Sequence, residues 1–313
     1  MADTEFSEEA RLPIREVARR TGVHPMTLRA WERRYGLLAP ARTHKGHRLY
    51  SDGEVRRIEK VLACLARGVA IGQVRELLER GTGKTAYLEK RNLNNSCWQE
   101  ILDETCSLLQ DFAEPQLRCR VDQWITAFPP PLLLEHWLKP LHAKLGQPRL
   151  EESRSAKLFL WPLLYEQLLL ANGIARKNLR KHKKSTVSRL LLMDLPGDDQ
   201  RVFLQMFSAA LFAAGIDVVV LSNQADLKRG GNVVKKLDCR GLICYSHRAL
   251  PKNFLTQELL NTAQALDKPF WLAGDFVEMQ RDDLGKLGKI ANSSVLLGAT
   301  DSVLTQLQEQ LIL

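Results

Sequence analysis

From residue 13 onward the apolar positions of this chain repeat at helical spacing. Pro13 suits a first helical turn, and Ile14, Val17 and Ala18 form one face of a short helix ending near Thr21-Gly22. His24-Pro25 opens a second helix through Tyr35, with Leu28 and Trp31 inward and Thr27, Arg29, Arg33 and Arg34 outward. Two short helices joined by a Gly-containing turn predict a helix-turn-helix, whose second helix can enter a DNA major groove. Gly36 ends that helix. The stretch LLAPARTHKGHRLY reads as a small β-wing carrying Arg42, His44, Lys45, His47 and Arg48. Asp52 is expected to cap a longer helix through Val55, Ile58, Leu62, Leu65 and Val69, and a last helix, Ile71 to Arg80, presents Val74, Leu77 and Leu78.

The helical period continues from Ser96 to Leu179. Trp98, Ile101 and Leu102 form one stripe; Leu117, Val121, Trp124 and Ile125 form another, stopped by Pro129-Pro130-Pro131. Leu132 to Lys144 and Ser153 to Leu179 complete a four-helix bundle. The period then changes. Short apolar, mostly β-rich segments at Leu190–Leu195, Ile216–Leu221, Gly241–Tyr245, Pro269–Ala273 and Val295–Leu297 alternate with helical stretches such as Val202–Ala214 and Phe254–Leu266. Such alternation predicts a parallel sheet covered on both faces. The fold class is therefore multidomain α and α/β: a winged helix-turn-helix over 11–80, a linker over 81–95, a bundle over 96–180 and a Rossmann-like domain over 186–313. Ligands of such sheets bind beyond the carboxyl ends of the strands. The candidate rim residues there are Asp198, Gln200, Ser222, Ser246, Arg248 and Asp275.

Composition narrows the class. The 313 residues are 45% apolar and 26% charged, ordinary globular values that exclude wholesale disorder. The longest apolar stretches are broken by Glu166 and Asp217, so no membrane span is expected. The acidic N-terminus is unlike a signal peptide, and six cysteines without a Cys-x-x-Cys suggest a reducing cytoplasm. The net charge of +9 is concentrated: residues 11–60 hold thirteen Lys or Arg against five Asp or Glu, and Arg176 to Arg189 holds seven more bases and no acid. A dense basic segment is the footprint of nucleic-acid binding. Gly81-Thr82-Gly83-Lys84-Thr85 lacks the upstream glycine and the preceding strand of a phosphate-binding loop, and reads as linker. Cys97, Cys106, Cys119, His136 and His142 have no ligand spacing, so no metal site is expected. No nucleophile–base pair indicates an enzyme.

The run IREVARRTGVHPMTLRAWERRYGLL, followed by RTHKGHRLY and RGVAIGQVRELL, resembles the DNA-binding domain of MerR-type transcription regulators. The Ala-Trp in TLRAWERRYG is closer to the branch of the CarH/LitR and MlrA types than to the metal-sensing branch. The resemblance implies a homodimeric winged helix that grips a palindromic promoter, distorts it and so realigns the elements read by RNA polymerase. Arg29, Arg33 and Arg34 are then candidates for base edges or phosphates, with Thr27 for a thymine methyl or a phosphate. Arg42, Lys45, Arg48 and Tyr50 are candidate phosphate clamps; Trp31 is expected to pack rather than touch DNA.

The C-terminal half is similar to the cobalamin-binding half of the same branch. That resemblance implies an Asp/Glu-x-His-x-x-Gly motif after the first strand, whose histidine holds cobalt and whose glycine admits the corrin. In LPGDDQRVF, Asp198 fits, but Gln200 replaces the histidine and Phe203 the glycine. A Trp and a Glu-His pair implied for the bundle are not supplied by the nearest register, Leu158–Leu163. The fold is expected without the cobalamin, as a degenerate sensory domain. Two readings of it stand: a rim for a nucleotide second messenger assisted by Arg248 or the basic run, or a docking surface for signalling proteins. A corrinoid-binding module is the alternative.

Overall fold

The structure is a computed structural model that describes residues 12–80, 97–146, 151–181, 189–196, 200–221, 227–290 and 292–312. Three layers follow one another along the chain. The first is built from α1 (Ile14–Thr21), α2 (Pro25–Arg33), α3 (Asp52–Ala66) and α4 (Ile71–Arg80) around a small antiparallel sheet. In it β3 (Arg48–Tyr50) lies between β1 (Leu12–Pro13) and β2 (Ala41–Arg42). The expected linker 81–95, with its Gly-Thr-Gly-Lys-Thr stretch, lies outside the described residues. The cap of α3 differs from expectation: Ser51 is the N-cap, its hydroxyl accepting from the Glu54 N–H at 3.2 Å, and Asp52 is the first helical residue. Serine accepts there while the aspartate still faces the positive helix end.

His24 caps α2. Its Nδ1 accepts from the Met26 N–H at 3.2 Å, which requires the neutral ring. Burial, and secondarily the Arg29 charge, pushes the His24 imidazole down to about 4.

The second layer is the bundle: helices Cys97–Gln110 and Glu114–Ala127, the interrupted helix from Pro130 to Leu145, and the long helix Glu151–Lys181. The interruption is a π-helical turn, Leu134–Leu138. Pro140, just beyond it, has no N–H to give to the preceding turn, and widened turns commonly accommodate such a loss. Trp31 joins the first layer to the second. The indole is fully buried, and its Nε1 donates to the Ala127 carbonyl at 2.8 Å. Trp98 makes the reciprocal tie, donating to the Leu65 carbonyl of α3 at 2.8 Å. One continuous core therefore runs from α1 through the bundle to one face of the C-terminal sheet.

That sheet is parallel, in the order β5-β4-β6-β7-β8: β4 (Leu190–Asp194), β5 (Val218–Leu221), β6 (Gly241–Tyr245), β7 (Phe270–Ala273) and β8 (Ser293–Val295). The last strand begins two residues earlier than its apolar pattern suggested, leaving Leu296 and Leu297 beyond it. Helices Gln200–Ala213 and Thr300–Ile312 pack on the bundle side; Leu227–Lys236 and the stretch from Phe254 to Ala265 cover the other. Gly241 starts β6 because a Cβ there would lie 2.4 Å from the Trp271 ring and 2.5 Å from the Pro269 carbonyl. The long helix docks the bundle onto the α/β layer, Asn172 donating to the backbone and side-chain oxygens of Gln205 at 2.9 Å.

Two expectations are altered. By length and composition alone, Arg154–Lys181 is long and apolar enough to cross a membrane, although 44% of its 18-residue apolar stretch is buried in the fold. Reading the helix as interrupted by Glu166 missed this. The basic run is also not one free cationic segment. Arg180 and Arg189 both pair with Asp217, whose side chain is fully buried, at 2.9 and 3.6 Å; residues 182–188 between them lie outside the described residues.

Trp31→Phe should lower stability by about 1–3 kcal/mol, from a lost hydrogen bond and a partly emptied site. Urea unfolding would measure this, and hydrogen exchange should quicken first in Pro25–Arg33. The depressed His24 pKa fixes a direction with pH. Between about 6.5 and 4 the unfolded chain takes up a proton that the folded chain refuses, so stability is complete above that window and falls as the pH drops through it. His24→Asn keeps a cap acceptor that does not titrate and should flatten this limb of the stability curve.

Candidate nucleic-acid interface and the rim of the sheet

The outward face of α2 is cationic because its inward face is committed. Leu28, Ala30 and Trp31 are buried, which leaves Arg29 and Arg33 on the exposed side and Arg34 just past the helix end, all three open to solvent. Across the wing turn Lys45 is exposed, and Arg42 keeps 51% of its side chain open. The structure thus gathers Arg29, Arg33, Arg34, Arg42 and Lys45 on the exposed surfaces of α2 and the wing.

Three candidates do not join them freely. Thr27 is only 2% exposed and packs in the core. Tyr50 is fully buried at the end of β3, where burial raises its phenol well above the usual range and its hydroxyl has no hydrogen-bond partner. Helical spacing placed Thr27 outward and the family resemblance made Tyr50 a candidate clamp, whereas the layer beneath claims both. Arg48 is held by Glu32, to which it donates through Nε, with only 16% of its side chain exposed.

Glu32 is the residue that sequence reasoning missed. It accepts from Arg48 and, at 2.8 Å, from Nη2 of Arg42, so one carboxylate on α2 fastens both arginines of the wing strands. Burial works to raise the Glu32 carboxyl, but the two guanidiniums outweigh it and hold the group below its ordinary value. The same bond raises Arg48 further. A lone acid among Arg29, Arg33 and Arg34 was the available signal.

At the rim, Asp198 and Ser222 lie outside the described residues; for Gln200 only its place at the start of helix Gln200–Ala213 is described. Ser246 is buried. Its hydroxyl donates to the Arg248 carbonyl at 2.8 Å and accepts the Arg248 N–H at 3.1 Å, closing a local turn. Gly274 has φ +107°, and a Cβ there would sit 2.1 Å from the Ser246 carbonyl oxygen, so the β6 and β7 ends meet at backbone distance. Asp275 is turned to the bundle, where Lys139 donates to it at 2.5 Å and to Glu135 at 2.7 Å. Glu135 in turn accepts both the hydroxyl and the N–H of Thr300, at 2.6 and 3.2 Å. Burial raises the Asp275 carboxyl despite Lys139, and Glu135 stays lowered because Lys139 and Thr300 outweigh its burial.

The crevice at the switch in strand order, between the β4 and β6 ends, is packed with rings. Phe203 is fully buried and stacks on His247, 3.7 Å between centroids and 9° from parallel. His142 from the bundle meets both edge-on, at 5.3 and 5.0 Å, and Trp161 stacks over His142 at 5.8 Å. The Arg248 guanidinium and the Lys157 amine stand 3.2 and 3.5 Å from Nε2 of His142, which places that nitrogen as an acceptor. A Glu-His pair does exist in the bundle, at Glu135-His136, and not near Leu158–Leu163. Glu135 faces the α/β layer through Thr300, while His136 stacks on Trp98 at 5.2 Å. Among the described residues no group of His, Cys, Asp and Glu is arranged to hold a metal ion.

The model of the MerR HTH family of regulatory proteins matches residues 12–81. The HTH-type transcriptional regulator MlrA of Escherichia coli is 34% identical over 140 residues, which are 44% of this chain and 54% of that protein. The HTH-type transcriptional repressor CarH of Myxococcus xanthus is 30% identical over 141 residues, 43% of this chain and 46% of the repressor. The chain thus matches about half the length of these curated relatives. A solved structure, of a novel cobalamin-binding protein from Desulfitobacterium hafniense, aligns with 66% of this chain and 97% of its own, at 18% identity and a TM-score of 0.33. The helix-turn-helix, the wing fastened to it and the family match over the same residues agree: residues 12–81 match the MerR HTH family of regulatory proteins, and the chain is similar to the regulators MlrA and CarH.

Proposed function

We propose that the chain is a sequence-specific transcription regulator that binds promoter DNA as a homodimer and distorts it, acting with RNA polymerase in the cytoplasm. The observation that carries this reading is the exposed set Arg29, Arg33 and Arg34 on α2 beside Arg42 and Lys45 of a wing fastened by Glu32. Arginines on a groove-entering helix can take guanine O6 and N7 in pairs, and wing cations take phosphates. Gripping two half-sites pays for bending or untwisting the spacer between them. Thr27 and Tyr50 serve as packing, and Arg48 holds the wing before it touches any phosphate.

The sensory reading is a docking surface for a signalling protein. It is favoured over a nucleotide site because Ser246 and Asp275 are spent on internal bonds. We propose further that cobalamin is not the cofactor. Phe203, at the position where the family places glycine, is buried face-to-face on His247 and fills with a ring the crevice that a corrin would need. The second reading, a corrinoid- or other ligand-binding sensor, draws on Glu135, which faces the α/β layer from the bundle.

Genome-wide chromatin capture of the tagged chain should give promoter peaks that vanish in an Arg33→Ala/Lys45→Ala variant; peaks that persist in the variant would sink the docking model. On a captured promoter fragment, Arg33→Ala should cost about 1–3 kcal/mol of affinity and relax base preference at one position. Lys45→Ala should weaken all sequences alike and reduce the salt slope by about 1. Incubation with cobalamins followed by gel filtration should leave no corrin absorbance with the protein, and a retained band would favour the second reading.

A further inference from the structure

The long helix Glu151–Lys181 has two faces of unlike fate. Leu160, Leu163, Leu164, Leu168 and Ala175 are buried in the fold. On the other side Leu170 is 64% exposed, Ile174 51% and Leu169 42%, and nothing lies within 4 Å of the position a Cβ would take on Gly173. Clustered apolar exposure on one helix face marks an interaction surface. The polar residues on the same face decide what covers it. At 100° per residue, Glu166, Leu170, Gly173 and Lys177 fall along one line of the helix, with Leu169 and Ile174 flanking it on either side.

That line is self-complementary. Glu166 and Lys177 lie equally far from the midpoint between Ala171 and Asn172, and so do Leu170 and Gly173. A twofold axis through this midpoint, with a second copy running antiparallel, sets each Glu166 opposite the other copy's lysine. It also drops each Leu170 into the gap above the other copy's glycine. An isologous interface requires this reciprocity, in which i meets j and j meets i. Glu166 accepts from Arg118 at 2.8 Å through Oε2 and keeps 55% of its side chain exposed, which leaves Oε1 for an incoming ammonium. Lys177 is exposed as well.

We propose that this face is the homodimer interface, two copies packing their long helices antiparallel through Leu170, Gly173 and the Glu166–Lys177 pairs. It goes beyond the DNA reading, which needs a twofold without saying where it lies, and it is tested without DNA. Sedimentation velocity of the full chain over a concentration series should show a dimer. Leu170→Glu, which desolvates a charge twice per dimer, should raise the dissociation constant about a hundredfold or more with an unchanged circular dichroism spectrum. Glu166→Lys and Lys177→Glu should each raise it about tenfold by setting like charges opposite one another. The two substitutions together should return it to near wild type, a rescue that residues eleven apart on one helix cannot produce within a single chain.

A monomeric wild type overturns the proposal, and its flotation with phosphatidylglycerol vesicles would assign the face to a lipid surface instead. A dimer indifferent to Leu170→Glu, or a double variant without rescue, also overturns it while leaving a dimeric regulator intact. A dimer that obeys all three variants but ignores promoter DNA supports the interface and sinks the DNA reading alone.

Discussion

The arrangement rests on Trp31. A helix of nine residues such as α2 is too short to be stable alone, and it gains its order from tertiary packing of one face. Here that face carries an indole pressed against the helix Glu114–Ala127, with its N–H spent on a backbone carbonyl of the bundle. Burial of the ring fixes the rotation of α2 about its own axis, and that rotation turns Arg29 and Arg33 outward. The exposed arginine surface, which the proposed function assigns to DNA, is therefore set from behind, by a layer that belongs to another part of the chain. A shift of the bundle reaches α2 directly, through the bond from Trp31 to the Ala127 carbonyl.

The joint between the bundle and the α/β layer has a different chemistry. Lys139 sits between Glu135 and Asp275, and Glu135 reaches on to the backbone of Thr300. Two carboxylates share one ammonium in a partly buried setting, so the joint carries a net negative charge and its strength depends on geometry more than on area. Beside it the rings of Phe203, His247, His142 and Trp161 interlock between the layers. The ionic and the aromatic contact thus stand beside the Asn172–Gln205 bonds in joining the bundle to the α/β layer.

The residues show why the sequence was legible in some places and not in others. Helix boundaries in the first eighty residues were readable because proline, glycine and apolar period agree there. The parallel sheet was readable because β4 to β7 are apolar on both faces, whereas β8 opens on Ser293 and Ser294 and was displaced. Spacing failed at Thr27, since a helical pattern marks which side a residue takes but not what layer lies against that side, and Tyr50, a clamp candidate by resemblance, is claimed by the core at the end of β3. Glu32 was missed because its partners, Arg42 and Arg48, come from the wing, ten and sixteen residues later, and only folding brings them together. The Glu135-His136 sequence is plain, but that Glu135 faces the α/β layer while His136 stacks on Trp98 is a matter of packing that one sequence does not display. Asp217 likewise looked like an interruption in an apolar stretch, whereas it is the buried partner of Arg180 and Arg189.

The carboxylate of Glu32 has a consequence for how the wing meets a polyanion. By holding Arg42 and Arg48 it acts as an internal counterion, resident before any DNA arrives. On the proposed DNA reading the wing reaches the duplex already ordered, so little conformational entropy is left to lose on binding. A phosphate that takes either guanidinium must share or displace a carboxylate, and it releases fewer condensed cations in total than the arginine count would imply. On that reading the wing gives up raw attraction for DNA and gains a fixed shape in which to offer it.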